Sequence, residues 1–193
     1  GAVINQQNNE KKTALIASVK SNNIDILKTL INNGANINLQ DNLGFTALIY
    51  AAKAGNIDMV KILLRNGANP NITNYNITTA LMYAAKNGHK EIVQILLKAK
   101  VNVNVINSYG VTALINAAIN PHTEIIQMLI NNGANVNIQD HNGLTVLMYA
   151  IDKNHENIID QILKNRHINI DIQTNNGNTA LMIATSNGNT KIV

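Results

Sequence analysis

The stretch DNLGFTALIYAAKAGNIDMVKILLRNGANPNIT, Asp41 to Thr73, decides how this chain is read. Thr46 is a good helix N-cap, because its hydroxyl can accept from a backbone N–H that the first turn leaves unpaired. Ala47, Leu48, Ala51 and Ala52 supply small and apolar helical positions, and Gly55 offers the left-handed turn that ends a short helix. Ile57, Val60, Leu63 and Leu64 recur at helical spacing until Gly67 closes a second helix. Gly67-Ala68-Asn69-Pro70-Asn71 then leads into an extended segment and a turn. Helices shorter than ~12–15 residues are marginal alone, so neighbouring copies must stack and bury the apolar faces.

Such copies run the length of the chain. Thr-Ala-Leu stands at Thr13, Thr46, Thr79, Thr112 and Thr179, with Thr-Val-Leu at Thr145, at intervals of 33, 33, 33, 33 and 34. Asn-x-Asn recurs at Asn36/Asn38, Asn69/Asn71, Asn102/Asn104 and Asn135/Asn137. One inserted residue around Arg166-His167-Ile168 shifts it to Asn169/Asp171. The expected repeats are 8–40, 41–73, 74–106, 107–139 and 140–173, with a partial one at 174–193, all in a single domain. Glu10-Lys11-Lys12 gives the first repeat the polar face of a cap. Lys191-Ile192-Val193 reads as a helix beginning, so the native chain is expected to continue.

These residues resemble the ankyrin-repeat family, whose period is 33 and whose first helix opens with Thr-Pro-Leu-His-x-Ala. Here Ala47-Leu48-Ile49-Tyr50-Ala51 replaces the Pro and His, so Ile49, Met82, Ile115, Met148 and Met182 should pack apolarly. The resemblance covers Asn8 through Val193. It implies an all-α solenoid of helix-turn-helix units with short hairpin fingers. Ile77 in a finger, Lys100 after a second helix and Pro121 after a first helix each stand where the clock has glycine. Each penalises or forbids positive φ, so the backbone is expected to turn differently at all three.

Composition narrows the function. The chain has no Cys and no Trp, aromatic residues are 3%, and the formal charge is +4, carried mostly by lysine. Thiol chemistry and sulfur-ligated zinc are excluded, and the mild charge without clustered aromatics points away from nucleic acid. No run approaches a membrane span and no leader segment is visible at the start. The 36 asparagines, with many Ile and Lys, fit a low-GC genome more simply than a prion-like role. The expected compartment is intracellular (cytoplasmic), with a secreted effector as the alternative.

No catalytic or metal set emerges. His89, His122 and His155 share one repeat position and read as structural. His155-Glu156 begins a zinc motif, but Ile159 stands where its second histidine belongs. His141 beside Asp140 reads as a solvated turn. Asp25, Asp58, Glu91 and Glu124 recur in the first turns of second helices, where they complement the helix dipole, and Asp25–Lys28 and Asp58–Lys61 are spaced to pair. No cofactor, metal or reaction is expected.

What remains is binding. The resemblance implies a non-catalytic protein-protein interaction module, or the recognition arm of a larger enzyme or secreted effector. In the family, contacts come from finger tips and exposed ends of first helices. By register these include Leu43, Phe45, Tyr50 and Lys53, then Tyr75, Thr78, Tyr83 and Lys86, then Tyr109 and Val111, then Leu144 and Tyr149. Phe45 is the only phenylalanine. It is either an exposed anchor at a tip or folded back onto Tyr75 or Val111. Lys20, Lys53 and Lys86 share one position, about 10 Å apart if the helices stack, while Ile119 and Asp152 interrupt the row. Tyr50 and Tyr83 lie three residues before two of these lysines and should offer flat area and a hydroxyl donor. The expected partner is a protein with an acidic, extended segment, bound by a monomer, with no nucleic acid and no membrane.

Overall fold

The computed structural model describes residues 3–189, so the expectation for Lys191-Ile192-Val193 lies outside the described residues. The described chain is all-α: eleven helices and no strand among the described residues. Internal contacts divide it into an N-terminal body, 1–102, and a C-terminal body, 103–193. The first body holds α1 (Ala14–Lys20), α2 (Ile24–Asn32), α3 (Ala47–Ala54), α4 (Ile57–Arg65), α5 (Ala80–Lys86) and α6 (Lys90–Lys98). The second holds α7 (Ala113–Ile119), α8 (Thr123–Asn131), α9 (Val146–Asp152), α10 (Glu156–Leu163) and α11 (Ala180–Ser186).

Each threonine of the recurring motif caps a first helix. Thr46 Oγ1 accepts from Ile49 N–H at 3.2 Å, and Thr13, Thr79, Thr112, Thr145 and Thr179 make the equivalent bond. In the N-terminal body α3 packs on α1, α4 and α5. Ala51, Ala52, Ala84 and Ala85 are fully buried, and their small size permits that close approach. Met59, Val60 and Leu63 of α4 fill the space beneath, each contributing about 1.5–3 kcal/mol by burial. In the C-terminal body α7, α9 and α11 stack in the same order, with α8 and α10 behind. Ile49, Met82, Ile115 and Met148 are buried as expected. Met182 is exposed, because α11 is the last described helix and no described helix covers its far side.

Asparagine has a structural task that composition alone does not suggest. Asn38 Oδ1 accepts from Asn69 N–H at 2.9 Å, one repeat on, and Asn71 Oδ1 accepts from Asn102 N–H at 3.0 Å. In the C-terminal body Asn104 accepts from Asn135 and Asn137 from Asn169, at 2.8 and 2.9 Å. Within the turn the first residue accepts from the N–H of the second, as Asn36 does from Asn38, Asn69 from Asn71, Asn135 from Asn137 and Asn169 from Asp171. Glutamines form a parallel link: Gln40 Nε2 donates to Gly44 O and Thr73 O, and Gln139 to Gly143 O and Gln173 O. These amides satisfy backbone groups that no helix or strand engages.

Two of the three expected departures from the glycine clock do not occur. Ile77 keeps φ +57° and Lys100 keeps φ +55°. At Ile77 the finger is closed by the same bonds as elsewhere: Asn74 Oδ1 accepts from Asn76 and Thr78, and Ile77 N–H donates to Asn74 O. That network over-determines the turn and imposes about 1–2 kcal/mol of strain on a β-branched residue. Only Pro121, whose ring forbids positive φ, departs as expected.

The second helices also correct one detail. Lys61 pairs with Glu91 of the next repeat at 2.8 Å rather than with Asp58.

Candidate partner-binding face

In the N-terminal body the face formed by the fingers and first helices is organised around Asp41, which is fully buried. Its Oδ1 accepts from the N–H groups of Leu43 and Phe45, both at 2.9 Å, and its Oδ2 accepts from the Tyr50 hydroxyl at 2.6 Å. Asp41 N–H donates in turn to Phe45 O. A carboxylate so placed fixes the finger to its own helix. Gly44 completes the turn at φ +80°, and a Cβ there would lie 2.6 Å from Tyr75 N. Glycine therefore allows Tyr75 N–H to donate to Leu43 O at 3.2 Å and joins successive fingers.

Phe45 is not an exposed anchor. It is 8% exposed and lies against Tyr50 and Tyr83, with ring centroids 4.9 and 5.5 Å away. It does fold back, but onto the first helices rather than onto Tyr75 or Val111. The finger delivers it there because Asp41 ties down the chain on both sides of the tip. Above this aromatic layer sit the lysines: Lys20 Nζ is 5.5 Å from the Tyr50 ring, and Lys53 Nζ is 5.5 and 5.4 Å from Phe45 and Tyr83. Cation–π attraction of this kind is worth about 0.5–1 kcal/mol at an exposed site.

The Tyr50 and Tyr83 hydroxyls both bond within the protein. Tyr50 donates to Asp41, and Tyr83 accepts from Asn74 Nδ2 at 3.3 Å. Burial, and secondly the Asp41 bond, push the Tyr50 hydroxyl's pKa well above its ordinary value. The true outward groups at the tips are Leu43 and Tyr75, 58% and 64% exposed. Lys86 is exposed at the end of α5, and Thr78 is half-buried in its finger.

The C-terminal body repeats the frame with different contents. Asp140, expected in a solvated turn, is buried: it accepts from Asn142 and Leu144 N–H and from the Tyr149 hydroxyl at 2.7 Å. Burial first, then that bond, push the Tyr149 pKa up to about 12. Tyr109 is 63% exposed, while Val111 and Leu144 are half-buried. No ring stands where Phe45 does, and Ile119 and Asp152 occupy the lysine position, with Asp152 paired to Lys153 at 3.0 Å.

The buried carboxylates were the missed part of the site. Their signal was present as a spacing of nine residues, Asp41 to Tyr50 and Asp140 to Tyr149, echoed by Asn74 to Tyr83. His89 and His155 serve the frame. The His89 ring lies 3.3 Å from Lys53 O and His155 Nδ1 lies 3.1 Å from Ala118 O, each reaching the end of the first helix of the previous repeat. Among the described residues no group of three His, Asp or Glu is placed to hold a metal, and no helix is long and apolar enough to cross a membrane.

A comparison with curated proteins gives no match. A family model described as ankyrin repeats (3 copies) matches residues 1–74, 72–140 and 129–193. With the 33-residue clock, the capped first helices and the stacked helix pairs, that coverage of the whole length places the chain in the ankyrin-repeat family.

Proposed function

We propose that this chain binds a protein partner through the finger and first-helix face of its N-terminal body, and that the partner presents an acidic, extended segment. Ankyrin repeats are generally protein-protein interaction modules and typically non-catalytic. The observation that carries the finer reading is the seating of Lys20 and Lys53 on the Tyr50–Phe45–Tyr83 layer. Their ammonium groups are already held over the rings, so less side-chain freedom is lost when a carboxylate arrives. The nearby acids offer little competition. Glu10 is committed to Lys12 at 2.6 Å, and both oxygens of Asp41 are taken. Leu43 and Tyr75, exposed at the finger tips, add apolar area to the finger and first-helix face.

Exposed charges are screened over ~8 Å at physiological salt, so the lysines act mainly on the rate of encounter. The test begins with affinity capture to identify a partner, followed by association rates against salt for wild type and K20E/K53E/K86E. The reading expects the mutant to associate at least tenfold more slowly at low salt and to lose its salt dependence. Equal rates at low salt exclude an acidic segment on this face.

A further inference from the structure

The inserted residue of the 140–173 stretch has a structural consequence on the opposite kind of surface, that of the second helices. Where α8 runs to Asn131 and exits through Gly133 at φ +86°, α10 ends one position earlier in the repeat, at Leu163. The chain leaves by a different turn, closed by Ile168 N–H donating to Asn165 O at 3.0 Å. That detour places Lys164, Arg166 and His167 on the rim of a cavity of about 560 Å³ between α8 and α10. Ligand sites commonly occupy about 300–1,000 Å³.

The walls are amides. Gln161 Nε2 donates to Gln127 Oε1 at 2.5 Å and Gln127 Nε2 donates to Asn131 Oδ1 at 2.7 Å, a chain that runs across the cavity. At its head Gln161 Oε1 is buried and accepts no hydrogen bond among the described residues. A buried acceptor without a donor is uncommon and calls for a partner bearing N–H or O–H. On the rim Arg166 is oriented by donating its Nε to His167 Nε2 at 3.0 Å, and His167 is itself tethered through its backbone to Asn165 and Asn137. The planar Arg fork and the Lys164 ammonium together suit a doubly charged oxyanion. Asp160 is the one carboxylate among the described residues of the wall, against Lys164 and Arg166, so that lining is net positive.

We propose that this cavity binds a small phosphorylated polyol of hexose-phosphate size, its phosphate on Lys164 and Arg166 and its hydroxyls on the Gln161–Gln127–Asn131 amides. The site is independent of the protein-binding face and needs no reaction.

The experiment is an NMR titration of the full chain with glucose 6-phosphate, glucose and inorganic phosphate in separate arms, following the side-chain amides of Gln127, Gln161 and Asn157. The expected result is saturable shifts with glucose 6-phosphate at least tenfold tighter than with either other probe, lost in K164A/R166A. Equal response to inorganic phosphate overturns the hydroxyl contacts, and equal response to glucose overturns the anion contacts. Absence of shifts from all three at about 10 mM overturns the site. If K164A/R166A fails to overlay the wild-type spectrum, Gln161→Met carries the test: glucose 6-phosphate should weaken to the level of phosphate, and unchanged affinity refutes the proposal.

Discussion

The Tyr50 hydroxyl donates to Asp41 Oδ2 across 2.6 Å, tying a first helix to the finger nine residues before it. In the next repeat the same geometry is neutral and longer, Asn74 Nδ2 to Tyr83 at 3.3 Å. A hydrogen bond to a buried charged acceptor is worth about 1.5–3 kcal/mol, and a neutral one about 0.5–1.5 kcal/mol. Tyr50→Phe is therefore expected to cost about 2 kcal/mol and Tyr83→Phe under about 1 kcal/mol. Urea denaturation of the two variants checks the order. Equal losses would mean that the Asp41 carboxylate adds nothing to the link.

The tyrosines also set an alkaline limit. Tyr149 is pushed up to about 12 in the folded chain, chiefly by burial, from an ordinary value of 10.0, and Tyr50 is raised as well. A group whose pKa is raised by folding holds more protons in the native state, so its contribution is complete below the unfolded value and is lost as pH rises through the folded one. Stability should hold to about pH 10 and fall between about pH 10 and 12. Tyr149→Phe should flatten part of that fall, as thermal melts across the range would show. A slope that is unchanged in Tyr149→Phe argues against this tyrosine as its source.

Glycines at equal φ should not be equally replaceable. Gly110 and Gly133 both lie near φ +80°, but a Cβ on Gly110 would stand 2.4 Å from His141 N, while one on Gly133 meets nothing within 4 Å. Gly133→Ala should cost the left-handed penalty alone, about 1–2 kcal/mol. Gly110→Ala adds a backbone clash and should cost more, weakening the finger bond from His141 N–H to Tyr109 O. Chemical denaturation separates the two. Similar losses would show that the fingers can shift apart without cost.

Strain at Ile77 predicts the reverse sign. The residue is exposed, so Ile77→Gly removes little buried surface while relieving a φ of +57°. Relief of about 1–2 kcal/mol exceeds the roughly 0.5–1 kcal/mol entropic cost of a glycine, so the variant should be slightly more stable. A lower denaturation midpoint would contradict this.

The first helices were legible because each is announced twice, by a capping Thr and by apolar spacing; α6, α8 and α10 open at His89, His122 and His155 without a side-chain cap and were legible by spacing alone, and the stacking follows from the shortness of all of them. The site was legible only in outline. Register placed Leu43, Tyr75, Lys53 and Tyr109 on the surface, but it cannot say which way a finger residue turns, and Phe45 turned inward. That choice belongs to Asp41, whose burial depends on two backbone N–H groups and a hydroxyl brought together by the fold. Ile77 and Lys100 erred in the other direction: residue preference argued for a new turn, and the bonds of the repeated frame imposed the old one.

For the asparagines, codon bias and structure make different forecasts. Asn38 accepts from Asn69 N–H at 2.9 Å and donates to Gly67 O at 3.3 Å. Asn137 accepts from Asn169 N–H at 2.9 Å and donates to His167 O at 2.7 Å. Alanine at either position leaves two backbone groups of the next repeat to water and unfastens adjacent turns, at an expected cost of about 1–2 kcal/mol. Asn9 lies outside this ladder on an exposed turn, and Asn9→Ala should stay within about 0.5 kcal/mol. Measured by urea denaturation, the three variants should fall into two groups. If Asn38→Ala and Asn137→Ala cost no more than Asn9→Ala, composition alone accounts for the asparagines and the ladder does not stabilise the fold.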